Sequence, residues 1–311
     1  MSISIENILT YCVVRIEANE TRQCGTGFFY KIGFGGSNNL TKLYIVTNKH
    51  VIEGADTIKF VITTAPNIEA PNRLGQFDGQ THIAVDMPLG KTNYYGIVSD
   101  TVIPHPDAQV DLILIDVTVP VGKHFATTKL RIVFLDRTWL HSESDRALRA
   151  IETVKVVGYP NGVWDAFNNA PIARTGSTAT HPLARFDGRS NFLIDAAVFG
   201  GSSGSPVFSF ESPMYLLTEG GYAPGTKAFL LGILWGVYEK DTKGALLIEE
   251  IPAATAPTPS VKTSLNLGVA MHASHLLDME EVISSASVAS RPPLATLPLE
   301  RSGAALGQPH N

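Results

Sequence analysis

The stretch Gly200-Gly201-Ser202-Ser203-Gly204-Ser205-Pro206 decides how the rest of this chain is interpreted. Glycine adopts backbone conformations that other residues resist, so a serine between glycines can sit on a tight turn with two N–H groups pointing at one spot. Such N–H groups can hold the negative oxygen that forms when a hydroxyl attacks a carbonyl. The alternative interpretation is a surface turn of Gly, Ser and Pro between two strands.

Two further segments favour the first interpretation. The run Tyr44–Ile52 reads as an apolar strand that delivers His50 at its end, and Val110–Ile115 places Asp111 at the start of an apolar strand. Nucleophilic catalysis by serine needs a neighbouring base and a third group that orients this base. Histidine suits the role of base because its pKa lies near neutrality. The order along the chain is His, Asp, Ser.

In this order the motifs resemble those of chymotrypsin-like serine proteases, closest in style to the bacterial HtrA-type and glutamyl-endopeptidase branches. The matching segments, spread over roughly residues 12 to 285, are Gly25-Thr26-Gly27-Phe28-Phe29, Thr47-Asn48-Lys49-His50-Val51, Asp111-Leu112-Ile113-Leu114-Ile115, Gly201-Ser202-Ser203-Gly204-Ser205-Pro206, Gly232-Ile233-Leu234-Trp235-Gly236 and Asn266-Leu267-Gly268-Val269-Ala270. The resemblance implies a serine endopeptidase that works through an acyl-enzyme, without a cofactor or metal.

The same resemblance implies a role for each site residue. Ser203 is the nucleophile, His50 is the general base and then the general acid, and Asp111 orients His50. The backbone N–H groups of Gly201 and Ser203 form the oxyanion hole. Removing one such donor typically costs about 2.7–4 kcal/mol of transition-state stabilisation.

Each of these roles has competitors nearby in the sequence. Ser202 and Ser205 flank the expected nucleophile, but the family pattern selects the serine just before the second glycine. Asp107 lies in a turn-rich stretch, and Asp116 ends the strand without motif support. His105 has a proline on each side, which indicates a loop.

The resemblance also points to substrate-binding positions. Ala197, six residues before the nucleophile, lies at the base of the primary side-chain pocket, while Leu234, Trp235 and Gly236 line the cleft and hold the substrate backbone as an added antiparallel strand. A methyl group offers no counter-charge to a buried cation, so we expect a preference for small or medium apolar residues and weak cleavage after Lys or Arg. His272 is a further candidate, because some relatives bind an acidic substrate side chain with a histidine on that wall.

Composition narrows the class of protein. Of 311 residues, 44% are hydrophobic and 17% are charged, with 27 Gly and 19 Pro, which is typical of a β-rich chain with many turns. The net charge of −5 without a basic run argues against a nucleic-acid partner. Cys12 and Cys24 are both expected in strands as free, partly buried thiols. No leader segment and no run of about 18 apolar residues is apparent, so we expect a cytoplasmic protein without a membrane span.

The spacing of short strands and turns predicts an all-β fold of two six-stranded antiparallel barrels with a short C-terminal helix. The expected domains are an N-terminal barrel (8–125) with a first strand at Tyr11–Glu17, an inter-barrel crossover (126–152), a C-terminal barrel (153–273), a helix (274–285) and a flexible tail (286–311). The helix should dock through Leu276, Met279 and Ile283. The active cleft is expected between the barrels, with the long loop Tyr238–Ser264 as its wall or as a lid that a partner protein or substrate orders.

Two alternative functions belong to classes other than serine endopeptidases. A pseudoprotease acting as a binding module would keep the fold without the chemistry. An esterase or another acyl-transfer enzyme would share the triad, but α/β-hydrolases run Ser, Asp, His along the chain and need βαβ repeats that this sequence lacks. The peptidase interpretation implies a protein or peptide substrate and leaves room for a regulatory partner protein.

Overall fold

A computed structural model describes residues 4–19, 21, 23–34, 40–64, 82–90, 101–141, 148–160, 163–240, 246–250 and 263–289. These residues form a mostly β structure with two large antiparallel sheets and three α-helices. Among them, no helix is both long and apolar enough to cross a membrane.

The first sheet has seven strands: β1 (Val13–Ala18), β2 (Cys24–Phe34), β3 (Leu40–Thr47), β4 (Thr57–Thr63), β5 (His82–Pro88), β6 (Val102–Pro104) and β7 (Ile113–Asp116). Its strand order is β5-β4-β1-β2-β3-β7-β6, and every pairing is antiparallel. The two end strands do not pair with each other in the described part of the chain, so this sheet is a half-barrel. Its inner face buries a cluster that includes Ile16, Ile45, Phe60 and Ile115.

The second sheet closes on itself. Its strands are β8 (Thr153–Gly158), β9 (Ile172–Thr178), β10 (Asn191–Asp195), β11 (Pro206–Glu211), β14 (Lys227–Lys240), β15 (Leu246–Glu250) and β16 (Thr263–His272), and the hairpin β12 (Met214–Leu216) and β13 (Tyr222–Pro224) lies between β11 and β14 in the chain. Because β11 pairs with both β8 and β14, six strands form a closed barrel in the order β11-β8-β9-β10-β16-β14, and β15 adds to β14 as a seventh strand.

Three helices complete the structure: α1 (Ile5–Tyr11), α2 (Thr118–Phe125) and α3 (His275–Ala289). The predicted apolar face of the C-terminal helix is confirmed, because Leu276, Met279 and Ile283 are buried in one cluster with side chains from both sheets, among them Tyr30 and Phe208. The tyrosine hydroxyl also donates a hydrogen bond to Glu280 on α3, at 2.6 Å. The helix therefore holds the two sheets together.

The all-β fold with a C-terminal helix is confirmed, but several local expectations are wrong. The first sheet has seven strands and is open, where a six-stranded barrel was predicted. Residues 5–11 form α1, whose first turn is capped by the Ser4 hydroxyl accepting the Asn7 N–H, so the first strand starts only at Val13. Cys12 consequently follows a helix and lies in no strand.

The helix α2 was not predicted, and the C-terminal helix is longer than the expected 274–285. It continues to Ala289, four residues into the expected tail. The rest of that tail lies outside the described residues, as does Pro252–Pro259 of the expected lid.

Candidate active site

His50 lies between an aspartate and a serine that come from different parts of the chain. Its Nδ1 is 2.5 Å from Oδ2 of Asp111, and its Nε2 is 2.8 Å from Oγ of Ser203. The histidine and the aspartate lie in turns that flank strands of the first sheet, and the serine lies in a loop before a strand of the second sheet. The three side chains therefore meet between the two sheets, where the cleft was expected.

The partners of the imidazole determine the direction of these hydrogen bonds. An ionised carboxylate can only accept, so the hydrogen between His50 and Asp111 must be on Nδ1. In the neutral ring Nε2 then carries a lone pair and accepts the hydrogen of the Ser203 hydroxyl. This tautomer is the one in which an imidazole can remove a proton from a serine.

Local hydrogen bonds hold the histidine and the aspartate together. The chain leaves β3 at Thr47 and turns into a short 3-10 helix, Lys49–Val51, which carries His50. The backbone N–H of His50 donates to Oδ1 of Asp111 at 3.2 Å, so both carboxylate oxygens are engaged by one residue. The Asn48 side chain donates from Nδ2 to the carbonyl of Asp111 at 2.7 Å.

The aspartate does not open a strand as the sequence predicted, because β7 starts two residues later at Ile113. It lies in a loop with two short backbone turns, in which Val110 donates to the carbonyl of Asp107 and Leu112 donates to that of Val110. This loop position places the carboxylate of Asp111 beside the histidine turn.

The serine loop is shaped by two glycines with positive φ. Gly201 (φ 80°) is the third residue of a four-residue turn that the Ser202 N–H closes onto the carbonyl of Phe199 at 3.1 Å. Positive φ at this position is typical of a type II turn, which favours glycine. Gly204 (φ 83°) has no room for a side chain, because a Cβ there would lie 1.9 Å from the carbonyl oxygen of Thr26.

Thr26, fully buried in β2, ties this loop to the first sheet. Its N–H donates to the carbonyl of Ser203 at 2.9 Å, and its hydroxyl donates to the carbonyl of Gly201 at 3.0 Å. The same hydroxyl accepts the N–H of Tyr159, and the Thr26 carbonyl accepts the hydroxyl of Thr47. Both residues whose N–H groups are the expected oxyanion hole are thus held through their carbonyls by one threonine.

Ala197, the expected base of the side-chain pocket, lies in the loop between β10 and the serine turn and is exposed. Its carbonyl accepts a hydrogen bond from Nη1 of Arg174 at 2.8 Å. The Arg174 guanidinium also lies over the ring of Phe199, 4.7 Å from the ring centroid. A positive charge therefore borders this part of the loop.

The expected backbone-binding segment lies in β14. Leu234 exchanges backbone hydrogen bonds with the serine loop, and the β14–β16 register is irregular at Trp235. Gly236 pairs with Val269 on one side and with Glu250 of β15 on the other. An added peptide strand therefore meets an edge that β15 already covers at Gly236.

The competing residues lie elsewhere. The Asp107 side chain accepts from a neighbouring backbone N–H in an exposed turn, and the Asp116 carboxylate accepts from the first residue of α2. His105 is buried and contacts α3. The hydroxyl of Ser205 is buried without a hydrogen-bond partner among the described residues.

His272 lines a cavity to which none of the other predicted site residues contributes. Its ring packs on Phe192, with 5.7 Å between centroids, and it lines a surface cavity with Leu140, Leu183 and Leu277. Burial lowers the pKa of His272, with a smaller contribution from a neighbouring histidine, so the imidazole is less easily protonated than usual.

A trypsin-like peptidase domain model matches residues 25–212 of this sequence. The chain belongs to the trypsin-like peptidase domain family. The matched segment contains all three side chains of the His50 cluster and both glycines of the serine loop. No curated protein sequence matches this trypsin-like domain.

Several solved proteases resemble the domain at low identity. The M. tuberculosis Rv3671c protease in its inactive form is 16% identical, with 88% of this chain and 89% of that chain covered and a TM-score of 0.39. The HtrA-type protease AlgW with a decapeptide is 14% identical over 91% of this chain and 68% of its own, with a TM-score of 0.39. The Drosophila Grass clip serine protease of the Toll pathway is 13% identical over 88% and 69%, with a TM-score of 0.43.

Sequence reasoning missed three residues that shape the site. Thr26 lies in the quoted Gly25-Thr26-Gly27 motif, and Asn48 lies two residues before the histidine. Both residues therefore belong to recognised motifs, but neither was given a role. No sequence motif pointed to Arg174, because only the pairing of β9 with β8 and β10 brings this residue beside Ala197.

Proposed function

We propose that this trypsin-like domain is a serine endopeptidase that cleaves protein substrates through an acyl-enzyme. The observation that supports the proposal is the chain of two hydrogen bonds from Asp111 through His50 to Ser203, at 2.5 and 2.8 Å. The hydroxyl has a base within reach, and the base has a carboxylate that orients it and stabilises its protonated form.

In the first half-reaction, Oγ of Ser203 bonds to the substrate carbonyl carbon while its proton moves to Nε2 of His50. The resulting tetrahedral intermediate breaks its C–N bond, and His50 returns the proton to the leaving amine. In the second half-reaction, His50 takes a proton from water as the water oxygen attacks the ester. As that intermediate breaks its bond to Oγ of Ser203, His50 returns the proton to this oxygen, which releases the carboxylic acid and restores the Ser203 hydroxyl.

The oxyanion that forms in both half-reactions needs preorganised donors. The N–H groups of Gly201 and Ser203 are proposed for this role, since Thr26 fixes the carbonyls of both residues and the turn at Gly201 has the φ of a type II turn. Fixed donors stabilise developing charge without reorganising during the reaction.

Specificity for small or medium apolar residues before the cut bond follows from the pocket base. Ala197 offers no carboxylate, and the Arg174 guanidinium that bonds to its carbonyl repels a substrate cation. Cleavage after Lys or Arg is therefore expected to be weak.

Substrate entry requires a change from the arrangement described here. Ser203 is fully buried, and β15 covers the edge of β14 at Gly236. A peptide that adds to β14 at this position must displace β15, so we expect the part of the expected lid that contains β15 to limit the rate of binding.

A peptide library with a fluorogenic or mass-resolved readout tests the proposal. The wild-type protein should cleave peptides after small or medium apolar residues, and Ser203→Ala should reduce turnover by roughly 10⁶-fold. Ser205→Ala is the matched control, since it removes a neighbouring hydroxyl that has no hydrogen-bond partner among the described residues, and it should retain activity.

Three results would count against the proposal. Equal cleavage by wild type and Ser203→Ala would exclude Ser203 as the nucleophile. Strong selection for Arg or Lys would contradict the pocket assignment. Failure of the folded wild-type protein to cleave any peptide, together with the same failure in a variant whose residues 246–250 are replaced by a Gly-Ser linker, would favour a binding module.

A further inference from the structure

Outside the proposed active site, two histidines and an aspartate converge where the first sheet meets the C-terminal helix. His105 follows β6, while His275 and Asp278 lie one turn apart at the start of α3. Nε2 of His105 lies 3.3 Å from Oδ2 of Asp278, and Nδ1 of His275 lies 3.2 Å from the same oxygen. Each residue offers one ligand atom, and these three atoms lie within 4.8 Å of one another.

The two nitrogen–oxygen separations match the requirements of a small cation. Zinc binds imidazole nitrogen and carboxylate oxygen at about 2.0–2.2 Å in tetrahedral geometry, which puts neighbouring ligand atoms about 3.3 Å apart. The two nitrogen–oxygen separations already have this value. Without a cation, hydrogen bonds from the two imidazoles to one carboxylate oxygen would hold the same arrangement, so the ligands are preorganised.

The surroundings suit a ligand site as well. The His105 side chain is 3% exposed, and its ring meets that of His275 edge-to-face, with 4.9 Å between centroids. Asp278 is 53% exposed and leaves the cluster open to solvent on one side. The other nitrogen of His105, Nδ1, accepts the backbone N–H of Asp107 at 3.1 Å and lies 3.4 Å from the Asp107 carbonyl. Metal binding through Nε2 would move the ring hydrogen to Nδ1, which would then donate to that carbonyl, a common partner of a metal-bound imidazole.

We propose that His105, His275 and Asp278 form a binding site for a divalent transition-metal ion, with zinc as the first candidate. Three protein ligands leave a fourth position for water, as in zinc sites that stay open to solvent. The cation would connect the loop before β7, which carries Asp111 six residues after His105, to the helix that holds the two sheets together.

The position next to the active site gives the cation a second consequence. His275 also lines a cavity to which Asp111 and Trp235 contribute. A bound ion at its edge would restrain the aspartate loop. Binding itself is independent of the peptidase proposal, because it is measured without substrate.

Isothermal titration of the full chain with zinc chloride in a buffer without chelators tests the site. The wild type should bind one zinc ion per chain at this site, and cobalt in place of zinc should give the visible absorption of a tetrahedral complex. Asp278→Asn and His275→Gln should each weaken zinc binding by at least about tenfold. Asp278 is exposed and His275 is half-buried on α3, and a thermal melt without metal checks that both variants fold.

Two variants serve as matched controls. Glu281→Gln removes a carboxylate from the exposed face of the same helix, and His181→Gln removes an exposed imidazole that lies elsewhere in the chain. Both should bind zinc as the wild type does. Zinc should raise the melting temperature of the wild type and of these controls, and it should do so less for the two ligand variants.

The absence of saturable zinc binding in the wild type would overturn the proposal. Equal affinity in the wild type, Asp278→Asn and His275→Gln would overturn it too, because the ion would then be bound elsewhere.

Discussion

The two sheets contribute to the proposed active site in different ways. The half-barrel supplies His50 and Asp111, which are bonded to each other through the side chain and the backbone N–H of the histidine. The closed barrel supplies Ser203 on a loop between β10 and β11 that depends on glycine conformations. One half of the site is therefore held by polar side chains, and the other by backbone geometry.

The difference shows where the site is vulnerable. The histidine–aspartate pair can form within one sheet, but its alignment with the serine depends on contacts between sheets. Thr26 makes two of these contacts through its N–H and its hydroxyl, both to carbonyls of the serine loop. Substitutions in the two halves of the site should consequently differ in how strongly they change kcat and the stability of the fold.

Within the half-barrel, Asp111→Asn should have the largest effect. The amide keeps the shape of the carboxylate but stabilises the wrong tautomer of His50, which lowers kcat by about 10⁴-fold with little change in stability. Steady-state kinetics and a thermal melt measure the two quantities. Asp107→Asn, in an exposed turn of the same loop, is the control and should retain kcat; an equal loss in both variants would exclude a special role for Asp111.

Within the closed barrel, Gly204→Ala should disrupt the serine loop itself. The new Cβ would lie 1.9 Å from the Thr26 carbonyl oxygen, in addition to the strain of a φ of 83°. Gly188→Ala is matched in φ (74°) but meets nothing within 4 Å, so it should lose only about 1–2 kcal/mol of the free energy of unfolding. Urea unfolding compares them, and equal losses would show that contact with Thr26 is unimportant.

The contact between the sheets is tested by Thr26→Val and Thr26→Ser. Valine leaves the Gly201 carbonyl and the Tyr159 N–H without their hydroxyl partner, at a cost of about 1–3 kcal/mol for each buried group. We expect kcat to fall more than KM changes, and by less than the about 10²–10³-fold that a lost oxyanion donor costs. Serine should restore kcat; if serine and valine behave alike, the hydroxyl does not position the loop.

The smallest effect is expected at the two cysteines, Cys12 just before β1 and Cys24 in β2. Burial raises the pKa of Cys12 and of Cys24. Because the thiolate is the reactive form, neither thiol should be alkylated at pH 8 in the folded protein, and both should react in urea. Mass spectrometry after iodoacetamide treatment measures this, and rapid alkylation of the native chain would contradict the burial of these residues.

The motifs of the proposed active site could be recognised in the sequence because each is local. A glycine-flanked serine and a histidine at the end of a strand need no distant partner to be recognised. The docking face of α3 was similarly visible from its helical spacing. The order His, Asp, Ser then pointed to the fold.

The features that sequence reasoning missed depend on contacts between distant strands, or lie where neighbouring residues favour a different secondary structure. The bond from Thr26 to Gly201 joins residues 175 apart, and no local pattern announces it. α1 was missed because the β-branched residues from Val13 onward favoured a strand, although Ser4 offers an N-cap.

A fluorophosphonate probe, followed by intact-mass and peptide mapping, tests the central claim most directly. We predict one adduct per wild-type chain, on Ser203, that is lost in Ser203→Ala, strongly slowed in His50→Ala and retained in Ser205→Ala. An adduct on another residue, or labelling of Ser203 that is equally fast without His50, would contradict a serine activated across the two sheets.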